Sequence, residues 1–248
     1  MLYKERLTMT RSVIVYVLVY LAFALLGTVI ALLNGRHATV TPAEVARSSG
    51  FFLPLFATMV ATSLGAETGA SARYALIRPV PRVRYALGVF GCGLLAVVAA
   101  FVLSSALGAL VMGVLDGYAS LLAPANARAA SSALLFAMPL AHALAWYGVV
   151  AAASLFFRNN FIAAAIAWPS AVLLFVLSQV HGLGAVRYIN LVNPLEYYIA
   201  ATTKLESPQY AGFGFFSGFS ATTDAVLLVV LCAAALAVGT LRWQRLEV

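Results

Sequence analysis

The chain has 248 residues, 63% of them hydrophobic and only 9% charged, with a mean hydropathy of +0.98. Soluble domains carry roughly 25% charged residues, so this composition excludes a soluble globular protein and specifies an integral membrane protein. The net charge of +7 does not imply nucleic acid: the basic residues sit at the ends of apolar runs, where lipid headgroups and the positive-inside rule account for them.

Apolar runs of about 20 residues without period-two alternation point to transmembrane helices rather than a barrel. The expected fold is all-α: a single transmembrane domain over residues 1–248, with six spans near 13–33, 42–66, 87–115, 132–157, 161–180 and 224–242. The first run is longer than a signal-peptide core and ends in Asn34, Gly35 and Arg36 without a small-residue cleavage site, so it is read as a retained helix.

Thr41, Pro42, Ala43 and Glu44 have the form of a capping box with proline at the first helical position, which predicts that helix 2 begins there. Along it, Pro54, Thr58 and Thr62 recur every four residues and predict one polar, kinkable stripe turned away from lipid. The chain then stops being apolar. Between residues 67 and 85 it carries Glu67, Gly69, Arg73, Arg78, Pro79, Pro81, Arg82 and Arg84, a block that predicts a solvent-side loop.

Helix 3 is glycine-rich at Gly88, Gly91, Gly93 and Gly108, which suits close helix contact. Helix 4 contains Pro139, His142, Trp146 and Tyr147, and a tight turn at Arg158 leads into helix 5, with a kink expected at Pro169. Residues 181–223 are too polar to span and too aromatic for a free linker. They predict a re-entrant or interfacial segment containing Asn193, Pro194 and Tyr197 before helix 6. Asp224 then opens helix 6, where its charge suits the helix dipole, and Arg242, Trp243 and Arg245 close it as interfacial anchors.

Six spans place both termini on one side. With this threading, ten of the fifteen Lys and Arg residues fall on the side of the termini, which predicts that both termini are cytoplasmic. Cys92 and Cys232 lie inside apolar runs and read as small core residues.

Chemistry of its own is hard to find in the chain. His142 is the clearest ionisable residue within a span; it is either a histidine bonded between packed helices or a contact in a translocation path. There is no GxxxxGK[ST] loop, no HExxH and no CxxC, so neither a nucleotide site nor a metal site is expected, and the chain is not expected to be an enzyme. With few acids in the spans, transport against a gradient would have to draw its energy from a partner.

Glu67, Gly69, the run Arg78, Pro79, Val80, Pro81, Arg82, and then Tyr85 and Gly88 resemble the segment between helices 2 and 3 of ABC-2 type transporter permeases. The six-span layout, the short turn at Arg158 and the Asn193, Pro194, Leu195 segment before helix 6 are similar too, so the resemblance extends over essentially the whole chain. It implies a permease subunit of the plasma membrane, the inner membrane in a bacterium. Such a subunit would pair with a second copy or a paralogue and rest on a separate ABC ATPase that holds ATP and magnesium. It implies a coupling role for Glu67, Gly69, Arg73, Arg78, Pro79, Arg82 and Arg158. It further implies an external gate at Asn193, Pro194 and Tyr197, and a substrate path past Thr58, Thr62, His142, Trp146 and Tyr147. Only about a dozen residues precede helix 1, which favours a drug, peptide or lipid as cargo over a glycan. The competing expectation is a membrane assembly or scaffold protein that transports nothing.

Overall fold

The computed structural model describes residues 2–34, 45, 48–50, 52–67, 82–116, 132–157, 160–178 and 221–244. These form six helices, with no strand among the described residues: α1 (Leu2–Leu33), α2 (Leu53–Glu67), α3 (Arg82–Asp116), α4 (Ser132–Phe157), α5 (Asn160–Ser178) and α6 (Ala221–Gln244). Four are long and apolar enough to cross a membrane, over Met9–Ile30, Val83–Leu115, Phe136–Phe157 and Thr222–Gln244. The chain is therefore a polytopic helical membrane protein. Shorter apolar stretches, Ser48–Thr62 and Phe161–Leu174, include parts of the other two helices. At about 1.5 Å per residue, α2 by itself falls short of a hydrocarbon core of roughly 30 Å.

The starts of three helices differ most from those expected. α1 begins at Leu2 rather than near residue 13, because residues 2–12 contain neither Gly nor Pro and simply extend the apolar helix. Helix 2 is not one continuous rod from residue 42: Val45 and Ser48–Gly50 are helical, Phe52 bends, and α2 starts at Leu53. Pro54 therefore occupies the first turn, where its missing N–H costs nothing, instead of kinking a helix interior. The Phe52 carbonyl accepts the amide of Phe56 at 3.2 Å and closes that turn. α3 begins at Arg82, directly after Pro81, so Arg82, Arg84 and Tyr85 belong to a helix and not to the predicted loop.

α4 is the centre of the bundle. It packs on α6 and α2 most extensively, and also on α5 and α3, while α1 lies chiefly along α3. Burial follows from this: 67% of the most apolar window of α4 is inside the protein, against 28% for α1 and 22% for α6. No aqueous driving force joins helices within lipid, so close approach depends on small residues, and α4 supplies Ala141, Ala143, Ala145, Gly148 and Ala151, all buried. A Cβ added at Gly148 would lie 3.0 Å from the Cys232 backbone of α6, and one added at Gly93 of α3 would fall on the Tyr147 phenol.

Directions follow from paired contacts. Phe23 stacks on Phe52 at 5.3 Å and Tyr16 meets Phe56 at 4.7 Å, so α2 runs antiparallel to α1. Ser49 binds both Tyr16 and Ser105 while Tyr20 abuts Gly108, so α3 runs parallel to α1. Gly148 meets Cys232 and Leu155 meets Gly239, making α4 and α6 parallel; Tyr85 with Trp243 and Phe90 with Gly239 make α3 antiparallel to α6. The starts of α1 and α3 and the ends of α4 and α6 thus share one end of the bundle. Every Lys and Arg among the described residues, Lys4, Arg6, Arg11, Arg82, Arg84 and Arg242, belongs to that end.

The outward surface is apolar. α1 exposes Ile14, Leu18, Phe23, Leu26 and Ile30, and α6 exposes Val226, Val229, Val230 and Leu241. In water such a surface would aggregate; it is the expected face toward lipid or toward another membrane helix.

Candidate functional site

α4 carries the aromatic and ionisable side chains singled out in the sequence, and the fold buries all three. His142 is 7% exposed, Trp146 1% and Tyr147 0%. They serve different neighbours. The Tyr147 hydroxyl donates to the Phe90 carbonyl of α3 at 3.2 Å, and Gly93 leaves the space for its ring. Trp146 meets Trp168 of α5 edge-on, with ring centroids 4.8 Å apart, and its indole N–H has no acceptor among the described residues. His142 lies one turn before Trp146, so the two share one stripe of α4.

On α2 the stripe Pro54, Thr58, Thr62 exists at the expected spacing, but its hydroxyls turn back on their own helix. Thr58 donates to the Pro54 carbonyl at 2.8 Å and Thr62 to the Met59 carbonyl at 3.1 Å. Such back-bonding satisfies the donors inside the helix and leaves only acceptor lone pairs for a ligand.

Glu67 is the last residue of α2 and Arg82 the first of α3, so the two ends of the arginine block are helix termini. Gly69, Arg73, Arg78, Pro79, Arg158, Asn193, Pro194 and Tyr197 lie outside the described residues, as does the capping box at residues 41–44.

Two features go beyond the sequence expectations. The first is a chain of hydroxyls between α1, the segment at residues 48–50 and α3. Tyr16 donates to the Ser49 carbonyl at 3.0 Å, Tyr20 and Ser48 share a hydrogen bond of 2.9 Å, and Ser105 donates to the Ser49 hydroxyl at 3.0 Å. Tyr16 and Tyr20 stand one turn apart in mid-span, away from the interfacial position where tyrosine usually sits; that placement was the available signal.

The second is Asp224. It lies in the first turn of α6, as expected, but it is fully buried, and neither carboxylate oxygen has a hydrogen-bond partner among the described residues. The register that pairs Gly148 with Cys232 and Leu155 with Gly239, carried about two turns back, sets Asp224 level with Leu140 of α4, within a turn of His142. An uncompensated carboxylate in such surroundings is costly, so this position suits a proton or a cationic group. Among the described residues, no three His, Cys, Asp or Glu side chains are grouped to hold a metal ion.

No protein-family model matches the chain, and no curated protein matches it significantly.

Proposed function

We propose that the chain is the permease subunit of an ATP-driven exporter of the ABC-2 type, moving a hydrophobic or amphipathic substrate such as a drug, peptide or lipid out of the cytoplasm. The observation that carries this reading is the one-sided charge. The helix-borne cations and the Glu67 terminus of α2 collect at one end of an otherwise apolar bundle, the arrangement expected of a cytoplasmic surface that a soluble subunit drives. On this reading both termini are cytoplasmic, and α2 and α5 complete six spans with help from their flanking residues. An ABC ATPase holding ATP and magnesium docks at Glu67, Gly69, Arg73, Arg78, Pro79, Arg82 and Arg158. A second permease, identical or related, covers part of the exposed apolar face. The membrane is the plasma membrane, the inner one in a bacterium.

The path lies along α4, past His142 and Trp146, with Thr58 and Thr62 offering acceptors from α2. Tyr147 acts as a packing pin between α3 and α4, and the external segment holding Asn193, Pro194 and Tyr197 forms the gate. Closure of the ATPases would move the 67–82 link between the end of α2 and the start of α3 as a lever. Replacing Glu67 with Ala is expected to leave membrane insertion intact while abolishing ATP-dependent substrate uptake into inverted vesicles. Undiminished uptake in that variant would remove the coupling role.

Asp224 favours a second reading. A buried carboxylate without a partner in a span is a common device of proton- or cation-coupled carriers, and on that reading the chain needs no ATPase. Efflux that collapses with an ionophore yet persists without ATP would select it.

A further inference from the structure

At the basic end the helices do not finish level. Gly148 against Cys232 and Leu155 against Gly239 hold α4 and α6 in register, so their apolar windows, Phe136–Phe157 and Thr222–Gln244, nearly coincide in depth. α3 shares that depth through Phe90 beside Gly239 and Tyr85 beside Trp243. α1 does not. Tyr20 abuts Gly108, and Ser49 binds both Tyr16 and Ser105, so Tyr16 stands near the level of Ser105. Carried a little over one turn toward the start of α1, this register sets Arg11 level with Ala99, halfway along α3. The contact of Phe90 with Gly239, carried about two and a half turns, sets both close to Val230, near the middle of the α6 window.

On α3 and α6 the apolar surface continues well past that level. Leu87 and Leu95 of α3 and Val238 and Leu241 of α6 are exposed, and all four lie nearer the basic end than Arg11. At 1.5 Å per residue, Leu87 stands about 18 Å above it. Arg11 is itself exposed. It belongs to the outward stripe of α1 that continues at seven-residue spacing through Leu18 and Leu25, both exposed, and Lys4 holds the position one step earlier. An arginine facing hydrocarbon at mid-depth is costly, and snorkelling recovers only part of such a distance. The remaining relief is a local drop of the polar boundary beside α1.

We propose that the outward face of α1 draws the headgroups of anionic phospholipids down to Arg11 and thins the bilayer beside this helix. The stripe supplies both halves of the contact. Arg11 offers an exposed guanidinium, which binds phosphate oxygens in pairs, and Lys4 adds a second positive charge to the same stripe. Beyond them Leu18 and Leu25 meet the acyl chains, which selects a lipid over a free ion. A net charge of +7 selects an anionic lipid over a zwitterionic one. A headgroup held at this depth has a shorter distance left to cross. That this serves the export of an amphipathic cargo rests on the exporter reading; the depth of the boundary does not.

The test uses the full chain, with Cys92 and Cys232 replaced by alanine, in vesicles of equimolar phosphatidylglycerol and phosphatidylcholine of identical chains. A nitroxide is attached at Thr10→Cys of α1 or at Val230→Cys of α6, both exposed and level with each other, and the relaxation it induces in the lipid phosphorus NMR signals is measured. The label at position 10 should relax phosphatidylglycerol more than phosphatidylcholine, and the label at 230 should affect neither. Arg11→Gln should reduce the phosphatidylglycerol effect about fivefold, the worth of one basic residue at an anionic surface, while Arg11→Lys should keep most of it. Thermal melting of each variant separates a moved boundary from lost folding. Equal effects from the two labels would mean a flat boundary and overturn the proposal, and so would equal effects on the two lipids or indifference to Arg11→Gln. Relaxation transferred from phosphatidylglycerol to added inorganic phosphate would assign Arg11 to a free anion and overturn the lipid. None of these readings requires ATP or transport, so failure of the exporter reading would leave the lipid result standing, and failure here would leave that reading untouched.

Discussion

The Tyr147 hydroxyl of α4 donates to the Phe90 carbonyl of α3 at 3.2 Å, across a gap that Gly93 keeps open. The side chain expected beside a substrate path also ties two helices together. Tyr147→Phe should cost only about 0.5–1 kcal/mol, the usual worth of an interhelical hydrogen bond in lipid. Gly93→Val should cost more, about 1–3 kcal/mol, because the ring has nowhere to move without repacking. Thermal unfolding of the two variants in one detergent would rank them; equal losses would show that the ring packs elsewhere.

The contact between α4 and α6 rests on backbone proximity. A Cβ at Gly148 would stand 3.0 Å from the Cys232 backbone, whereas one at Gly27 of α1 would meet nothing within 4 Å. Gly148→Leu should therefore force α4 and α6 apart and lower the yield of folded protein, while Gly27→Leu should be tolerated. Size-exclusion profiles and melting temperatures of the pair provide the check, and a harmless Gly148→Leu would refute the packing described.

Asp224 has no hydrogen-bond partner among the described residues, so replacing it removes a liability rather than a contact. Asp224→Leu should match or raise the melting temperature, by analogy with buried charges whose removal is neutral or stabilising. The same variant should lose transport if the carboxylate serves the substrate or a coupled cation. A large loss of stability would mean that the carboxylate is paired after all.

The hydroxyl chain between α1 and α3 should behave as one unit. A double-mutant cycle on Tyr20→Phe and Ser48→Ala should give a coupling of about 0.5–1.5 kcal/mol, since each change removes the same 2.9 Å bond. Additive losses would place the two hydroxyls with separate partners.

Much of this architecture is written locally. Ser132 follows a polar stretch and Phe157 precedes Arg158 and Asn159, so the limits of α4 show in the composition. The apolar runs likewise reveal the helices themselves. What local pattern conceals is where a helix begins beside proline. Pro54 reads as a kink inside a long run but sits in a first turn, and Pro81 reads as part of a loop but precedes a helix start, because proline is compatible with both. Burial is hidden for a different reason. Nothing in the residues around Asp224 shows that it is fully buried, nor that Ser49 lies between Tyr16 and Ser105; those facts belong to packing between segments far apart in sequence.

On the exporter reading, an ATPase grips the end of the bundle marked by Glu67 and Arg82. A photoreactive amino acid placed at Glu67 in the full chain, activated in native membranes and followed by mass spectrometry of the crosslinked product, tests it most directly. The expected product is a crosslink to a protein bearing a P-loop, lost when ATPase expression is removed. Crosslinks to lipid alone, in membranes where the chain still exports its substrate, would contradict it.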